Sequence, residues 1–130
     1  MITDILIVED EQAILESLEF ILTRCGWSVA IAHDGEAALQ AIMRLRPRLV
    51  LLDIMLPKRG GLDVLKALRS NPAFASISVV TLTARGQQYD RQAALDMKAD
   101  DFITKPYANG DVVNAVRRIL DSQRCPVTHA

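Results

Sequence analysis

Glu9, Asp10, Asp53, Thr83 and Lys105 are the residues whose types and spacing could do chemistry, because each stands at or just past the end of an apolar run. Residues 5–8 lead into Glu9, Asp10 and Glu11; residues 49–52 into Asp53; residues 79–82 into Thr83; residues 102–104 into Lys105. If the runs are neighbouring parallel strands, their carboxyl ends share one edge of a sheet, where open α/β folds build their sites. Three carboxylates would then crowd together: at an effective dielectric of about 20, two unit charges roughly 5 Å apart repel by about 3 kcal/mol. The cluster must bind a cation, protonate or pair with a base. A divalent metal answers best, and Mg²⁺ suits an oxygen-only set of one or two carboxylates, waters and a phosphate oxygen, with no histidine or cysteine nearby. Lys105 would add a mobile positive charge and Thr83 a neutral donor. Taken alone, Asp10 or Glu11 reads more simply as an N-cap of the following helix. Asp53 is harder to explain that way, since Ile54, Met55 and Leu56 follow it.

The elements that must position these residues are strands alternating with helices. Residues 5–8, 29–32, 49–52 and 79–82 are nearly continuous apolar runs, the pattern of strands buried on both faces. Helical spacing lies between them: Ile14, Leu18, Ile21 and Cys25, then Ala38, Ile42 and Leu45, then Leu65 and Leu68. A fourth helix is expected over 88–97 and a fifth over 110–121, the latter on Val112, Val116, Ile119 and Leu120 with Asn109 as cap. Gly26 fits a C′ position, Asp34 an N-cap, and Pro47 ends the second helix. Short βα repeats force a parallel sheet with right-handed crossovers. The expected architecture is α/β, a three-layer, flavodoxin-like (βα)5 doubly wound sheet with strand order 2-1-3-4-5. One domain over residues 1–122 is expected, with 123–130 a frayed tail in which Pro126 blocks further helix.

The chain has 130 residues, half of them apolar, with 15 basic and 16 acidic side chains and a net charge of -1. That balance removes the bulk attraction nucleic acids or anionic membranes require. No run approaches a membrane span and no secretory signal opens the chain, so a cytoplasmic location is expected. Cys25 and Cys125 have neither metal-ligand nor pairing pattern, and both read as free thiols.

With these residues placed, the chain resembles the receiver domain of bacterial two-component response regulators over residues 5–120. The motifs are Val8-Glu9-Asp10-Glu11; Leu51-Leu52-Asp53-Ile54-Met55-Leu56-Pro57 with Gly61 closing the loop; Leu82-Thr83-Ala84-Arg85; and Ala99-Asp100-Asp101-Phe102-Ile103-Thr104-Lys105-Pro106-Tyr107. The last two are most similar to the osmoregulatory and phosphate-response subfamily, whose members carry a winged-helix DNA-binding domain after the receiver. The resemblance implies that Asp53 accepts a phosphoryl group from a sensor histidine kinase or a small phosphodonor. It implies Mg²⁺ held by Asp10, Asp53 and the backbone carbonyl of Met55, with Glu9 reaching the metal directly or through water. Thr83 and Lys105 would bind the phosphoryl oxygens, Lys105-Pro106 would be cis, and Thr83 with Phe102 would form the switch. Phe102 as simple core is the plainer alternative.

Met55 and Arg85 flank the approach of hydrolytic water and neither orients water well, so a long-lived phosphate is expected. Residues 91–118 carry mixed charges, including Asp96, Asp100, Asp101, Asp111, Arg117 and Arg118, as a two-fold interface needs. The subfamily resemblance implies a phosphorylation-promoted homodimer through the fourth helix, fifth strand and fifth helix, with which these mixed charges agree; a solvated face is the alternative. Lys98 departs from the family's usual glycine, and Gly110 weakens the start of the last helix. An Mg-dependent aspartyl phosphatase of the haloacid dehalogenase type is the enzymatic rival, but it wants a second acid where Met55 stands. A flavodoxin would need a hydroxyl-rich loop in place of Glu9, Asp10 and Glu11.

Overall fold

The apolar runs 5–8 and 49–52 become the middle of a five-stranded sheet, β1 (Ile5–Val8) beside β3 (Leu49–Asp53). The computed structural model describes residues 3–54, 60–84, 99–105 and 108–123, without the side chains of residues 83, 84, 104, 105, 122 and 123. The other strands are β2 (Val29–Ala32), β4 (Ser78–Ala84) and β5 (Asp101–Lys105). All pairings are parallel and the order is β2-β1-β3-β4-β5, as expected. The helices are α1 (Gln12–Arg24), α2 (Gly35–Leu45), α3 (Gly61–Ser70) and α4 (Asn109–Gln123). The helix expected over 88–97 lies outside the described residues.

Side chains alternate across a strand, so the central strands feed two cores. Leu6, Val8, Val50 and Leu52 meet Ala38, Ile42, Val64, Leu65 and Leu68 of α2 and α3. Ile5, Ile7, Leu49 and Leu51 meet Leu15, Leu18 and Leu22 of α1 and Val112, Val116 and Leu120 of α4. All eight of these central-strand residues are fully buried, each such side chain contributing about 1.5–3 kcal/mol.

β2 departs from the expectation of burial on both faces. It is an edge strand bonded only to β1, and although Ala32 is buried, Val29 and Ala30 are half-buried and Ile31 is 37% exposed. Composition resembles that of a central strand, but position in the sheet decides burial.

The helix ends mostly follow their local sequence. Gly26 takes φ +98°, donating its N–H to the Thr23 carbonyl at 3.0 Å while Trp27 N–H reaches the Leu22 carbonyl at 3.4 Å, a Schellman closure of α1. The Asp34 carboxylate accepts the Ala37 N–H at 2.8 Å and caps α2. Asp34→Ala should cost about 1 kcal/mol, read as a lower urea midpoint with an unchanged m-value. α2 ends at Arg46 in the left-handed region, immediately before Pro47. The last helix starts at Asn109, so Asn109 is not its cap. Its amide donates to Ser17 Oγ of α1 at 3.0 Å, and Asp111 instead accepts the Ala108 N–H at 3.2 Å.

Side chains fasten the amino-terminal edge of the sheet. Arg48 pairs with Asp4 at 3.1 Å and donates to the Leu120 carbonyl at 3.1 Å, while Asp4 accepts the Ser28 N–H at 3.0 Å. Among the described residues no helix is long and apolar enough to cross a membrane.

Candidate functional site

Glu9 extends β1 by one hydrogen bond, its N–H donating to the Ala32 carbonyl at 3.1 Å. Its side chain is fully buried, and Oε1 accepts the Glu11 N–H at 3.2 Å. That bond ties the turn into α1 to the sheet edge. Glu11 occupies the N-cap position of α1 with extended backbone but makes no side-chain cap bond. The simpler reading of Glu11 as a capping side chain therefore fails here; the carboxylate engaged with this turn is that of Glu9.

Asp53 ends β3 and is 4% exposed, whereas Asp10 is exposed. Because β1 and β3 run side by side in flush register, Val8 opposite Leu52, the residues that follow them emerge together. Glu9, Asp10 and Asp53 each offer a carboxylate oxygen, and the three oxygens lie within 4.8 Å of one another. Two of these acids are withdrawn from water, so their charge cannot be dispersed by solvent. Three hard oxygen donors, two fixed in the sheet edge and one at the rim, fit a small divalent cation that keeps part of its water shell.

On the next strand Leu82 is the register partner of Asp53, which puts Thr83 one residue beyond it. Ala84 is in turn the partner of Lys105 on β5. Thr83 and Lys105 thus occupy the expected strand ends by backbone; their side chains, and Met55, Arg85, Lys98 and Pro106 altogether, lie outside the described residues. Phe102 is half-buried on β5 opposite Thr81, and its N–H donates to Asp101 Oδ1 at 2.8 Å. Among the described residues it packs into neither of the two buried clusters.

Two clefts of about 380 and 360 Å³ lie elsewhere, one beside Arg46, Arg48 and Ser76, the other between α2 and α3. Sequence reasoning did not find the Glu9 to Glu11 contact or the closeness of Gly61 to Asp53. The adjacent Gly60-Gly61 pair was the signal available for the second.

The match to known proteins follows the same residues. The family described as response regulator receiver domain matches residues 5–117. The chain belongs to that family. Transcriptional regulatory protein DltR of Streptococcus agalactiae is 44% identical over 113 residues, covering 87% of this chain and 50% of the relative. Sensory transduction protein RegX3 of Mycobacterium tuberculosis is 39% identical over 118 residues, covering 91% and 51%. The chain thus spans about half the length of these relatives. The receiver fold superposes on the crystal structure of a putative response regulator from Chloroflexus aurantiacus with a TM-score of 0.87 and 31% identity, covering 93% of this chain and 99% of that one. It superposes equally well, at TM-score 0.87 and 29% identity, on a CheY-like receiver domain protein from Methanospirillum hungatei, covering 95% and 97%. The receiver assignment leaves the aspartyl phosphatase alternative without support.

Proposed function

We propose that this receiver is the phospho-accepting switch of a two-component system and that Asp53 is the residue phosphorylated. The observation that carries the reading is the convergence of Glu9, Asp10 and Asp53 within 4.8 Å at the ends of two adjacent strands. An Asp53 carboxylate oxygen attacks the phosphorus of a phosphohistidine on a sensor kinase. The new O–P bond forms as the P–N bond breaks, and the imidazole leaves with the electron pair. The product is an acyl phosphate. Glu9, Asp10, Asp53 and the carbonyl of Met55 would hold Mg²⁺, which supplies the positive charge that offsets carboxylates and phosphoryl oxygens together.

Lys105 and Thr83 stand at the ends of the neighbouring strands, where an amine and a hydroxyl can bind phosphoryl oxygens. Two charge-assisted hydrogen bonds at about 1.5–3 kcal/mol each bias a conformational equilibrium. A swing from 1:99 to 99:1 needs about 5.5 kcal/mol, so partner docking or dimerisation completes the change. Phe102, half-buried on β5, would report it. The response is read out through residues 91–118, as a homodimer formed on phosphorylation. By analogy with the relatives named as transcriptional regulators, a DNA-binding domain in the parent protein would convert that dimer into promoter binding, in the cytoplasm and without nucleic-acid contact by the receiver itself.

Incubation with Mg²⁺ and acetyl phosphate should add the mass of one phosphoryl group. The addition should vanish in Asp53→Asn and in the presence of a chelator. Modification persisting in Asp53→Asn would refute the assignment. The phosphorylated receiver should keep its phosphate for minutes or longer; loss within seconds would contradict the expected slow hydrolysis.

A further inference from the structure

We propose that Gly61 is a positioning residue for the phosphoacceptor, acting through the backbone of Asp53 and Ile54; this rests on the functional reading above. α3 begins at Gly61, which is buried, and the Gly61 N–H donates to the Ile54 carbonyl at 3.0 Å. A Cβ at Gly61 would overlap the carbonyl oxygen of Asp53 and would lie 2.6 Å from Ile54 Cα and 3.0 Å from the Asp53 carbonyl carbon. Every one of those atoms is backbone, so no side chain can swing aside to relieve the clash. The helix and the end of β3 are in direct main-chain contact, and any side chain at Gly61 must push them apart.

The displaced atoms belong to the residue whose carboxylate meets Glu9 and Asp10. Moving its backbone by a few tenths of an ångström changes how the three oxygens converge, and misplacement of that order lowers rates well beyond its effect on stability. The same peptide is held on its other side: the Ile54 N–H donates to the Leu82 carbonyl at 3.1 Å, tying it to β4. The strain therefore falls on the peptide that joins Asp53 to Ile54. Neighbouring glycines supply the controls. A Cβ at Gly60 would meet nothing nearer than the Ile54 carbonyl oxygen at 4.0 Å, and one at Gly110 nothing within 4 Å.

The test compares Gly61→Ala, Gly60→Ala and Gly110→Ala with wild type at a temperature where far-ultraviolet circular dichroism reports all of them folded. Mg²⁺ affinity is measured by calorimetry and phosphorylation by acetyl phosphate under single-turnover conditions. Gly61→Ala should weaken Mg²⁺ binding about tenfold and slow phosphorylation about 10- to 100-fold, while Gly60→Ala and Gly110→Ala stay within about twofold of wild type. A folded Gly61→Ala protein with wild-type metal affinity and rate would overturn the proposal. If Gly61→Ala does not fold, hydrogen exchange of the wild type decides. Mg²⁺ should slow exchange of the Gly61 amide about tenfold and leave Gly110 unchanged, and an unaffected Gly61 amide would overturn it. A wild type that neither binds Mg²⁺ nor accepts phosphate fails the functional reading and this proposal together, whereas a competent wild type with an equally competent Gly61→Ala fails this proposal alone.

Discussion

Asp53→Asn should melt at a higher temperature than wild type in chelator, although on the proposed reading it can no longer be phosphorylated. Three carboxylate oxygens share a space 4.8 Å across and two of the acids are buried, so neutralising one removes two repulsive pairs. Each pair is worth about 3 kcal/mol at an effective dielectric of 20. The exposed position of Asp10 reduces the net gain to about 1–3 kcal/mol. Mg²⁺ should invert the comparison. Wild type gains about 2.7 kcal/mol when the metal is at one hundred times its dissociation constant, while the variant, lacking a charged ligand, gains far less. Paired thermal melts with chelator and with saturating Mg²⁺ check this. An Asp53→Asn protein less stable than wild type in chelator would show that the acids are not in mutual repulsion.

Arg69→Ala should destabilise the protein by about 1–3 kcal/mol without abolishing phosphorylation. From the last turn of α3, Nη1 donates to the carbonyls of Ala75 at 3.0 Å and Ile77 at 2.8 Å, and Nη2 to Asp100 Oδ2 at 3.2 Å. The same Asp100 oxygen accepts the Val79 N–H at 2.7 Å. One guanidinium thereby gathers the end of α3, the turn into β4 and the approach to β5. The Arg69 side chain is only 16% exposed and Ile77 is buried, so removal of the guanidinium strands the Ile77 carbonyl, whereas water can replace the bond to the exposed Ala75. Asp100, at 40% exposed, contributes the smaller share because solvent screens the pair. Arg69→Lys should recover only part of the loss, since an ammonium cannot reproduce the fork. Urea denaturation measures both variants, and a change below about 0.5 kcal/mol in Arg69→Ala would mean the three bonds are replaced by water at no cost.

The acid cluster was legible because an apolar run ending in a carboxylate fixes where that carboxylate emerges, and the flush pairing of β1 with β3 is the ordinary outcome for a doubly wound sheet. The Asp34 cap and the Gly26 closure were legible because they depend on a few neighbouring residues. What the chain did not disclose depends on distant partners. Ile31 is partly exposed because nothing pairs beyond β2, a fact of strand order rather than of composition. Asn109 has the right chemistry for a cap but a better use for its amide beside Ser17. Arg69 looks like an ordinary cation ending a helix, and only the fold shows which carbonyls it serves. Gly61 was visible as a loop glycine, yet its contact with the Asp53 backbone requires the crossover to be closed in space.

The two strands that deliver Glu9 and Asp53 have every apolar residue sealed on both sides and sit innermost in the sheet. Such a mounting is stiff, so a newly attached dianion cannot be accommodated by letting the support sag. On the proposed reading the disturbance travels outward instead, to β5 at the rim, where Phe102 is half-buried. On that reading an unyielding centre is what would turn one local chemical event into a message at the periphery.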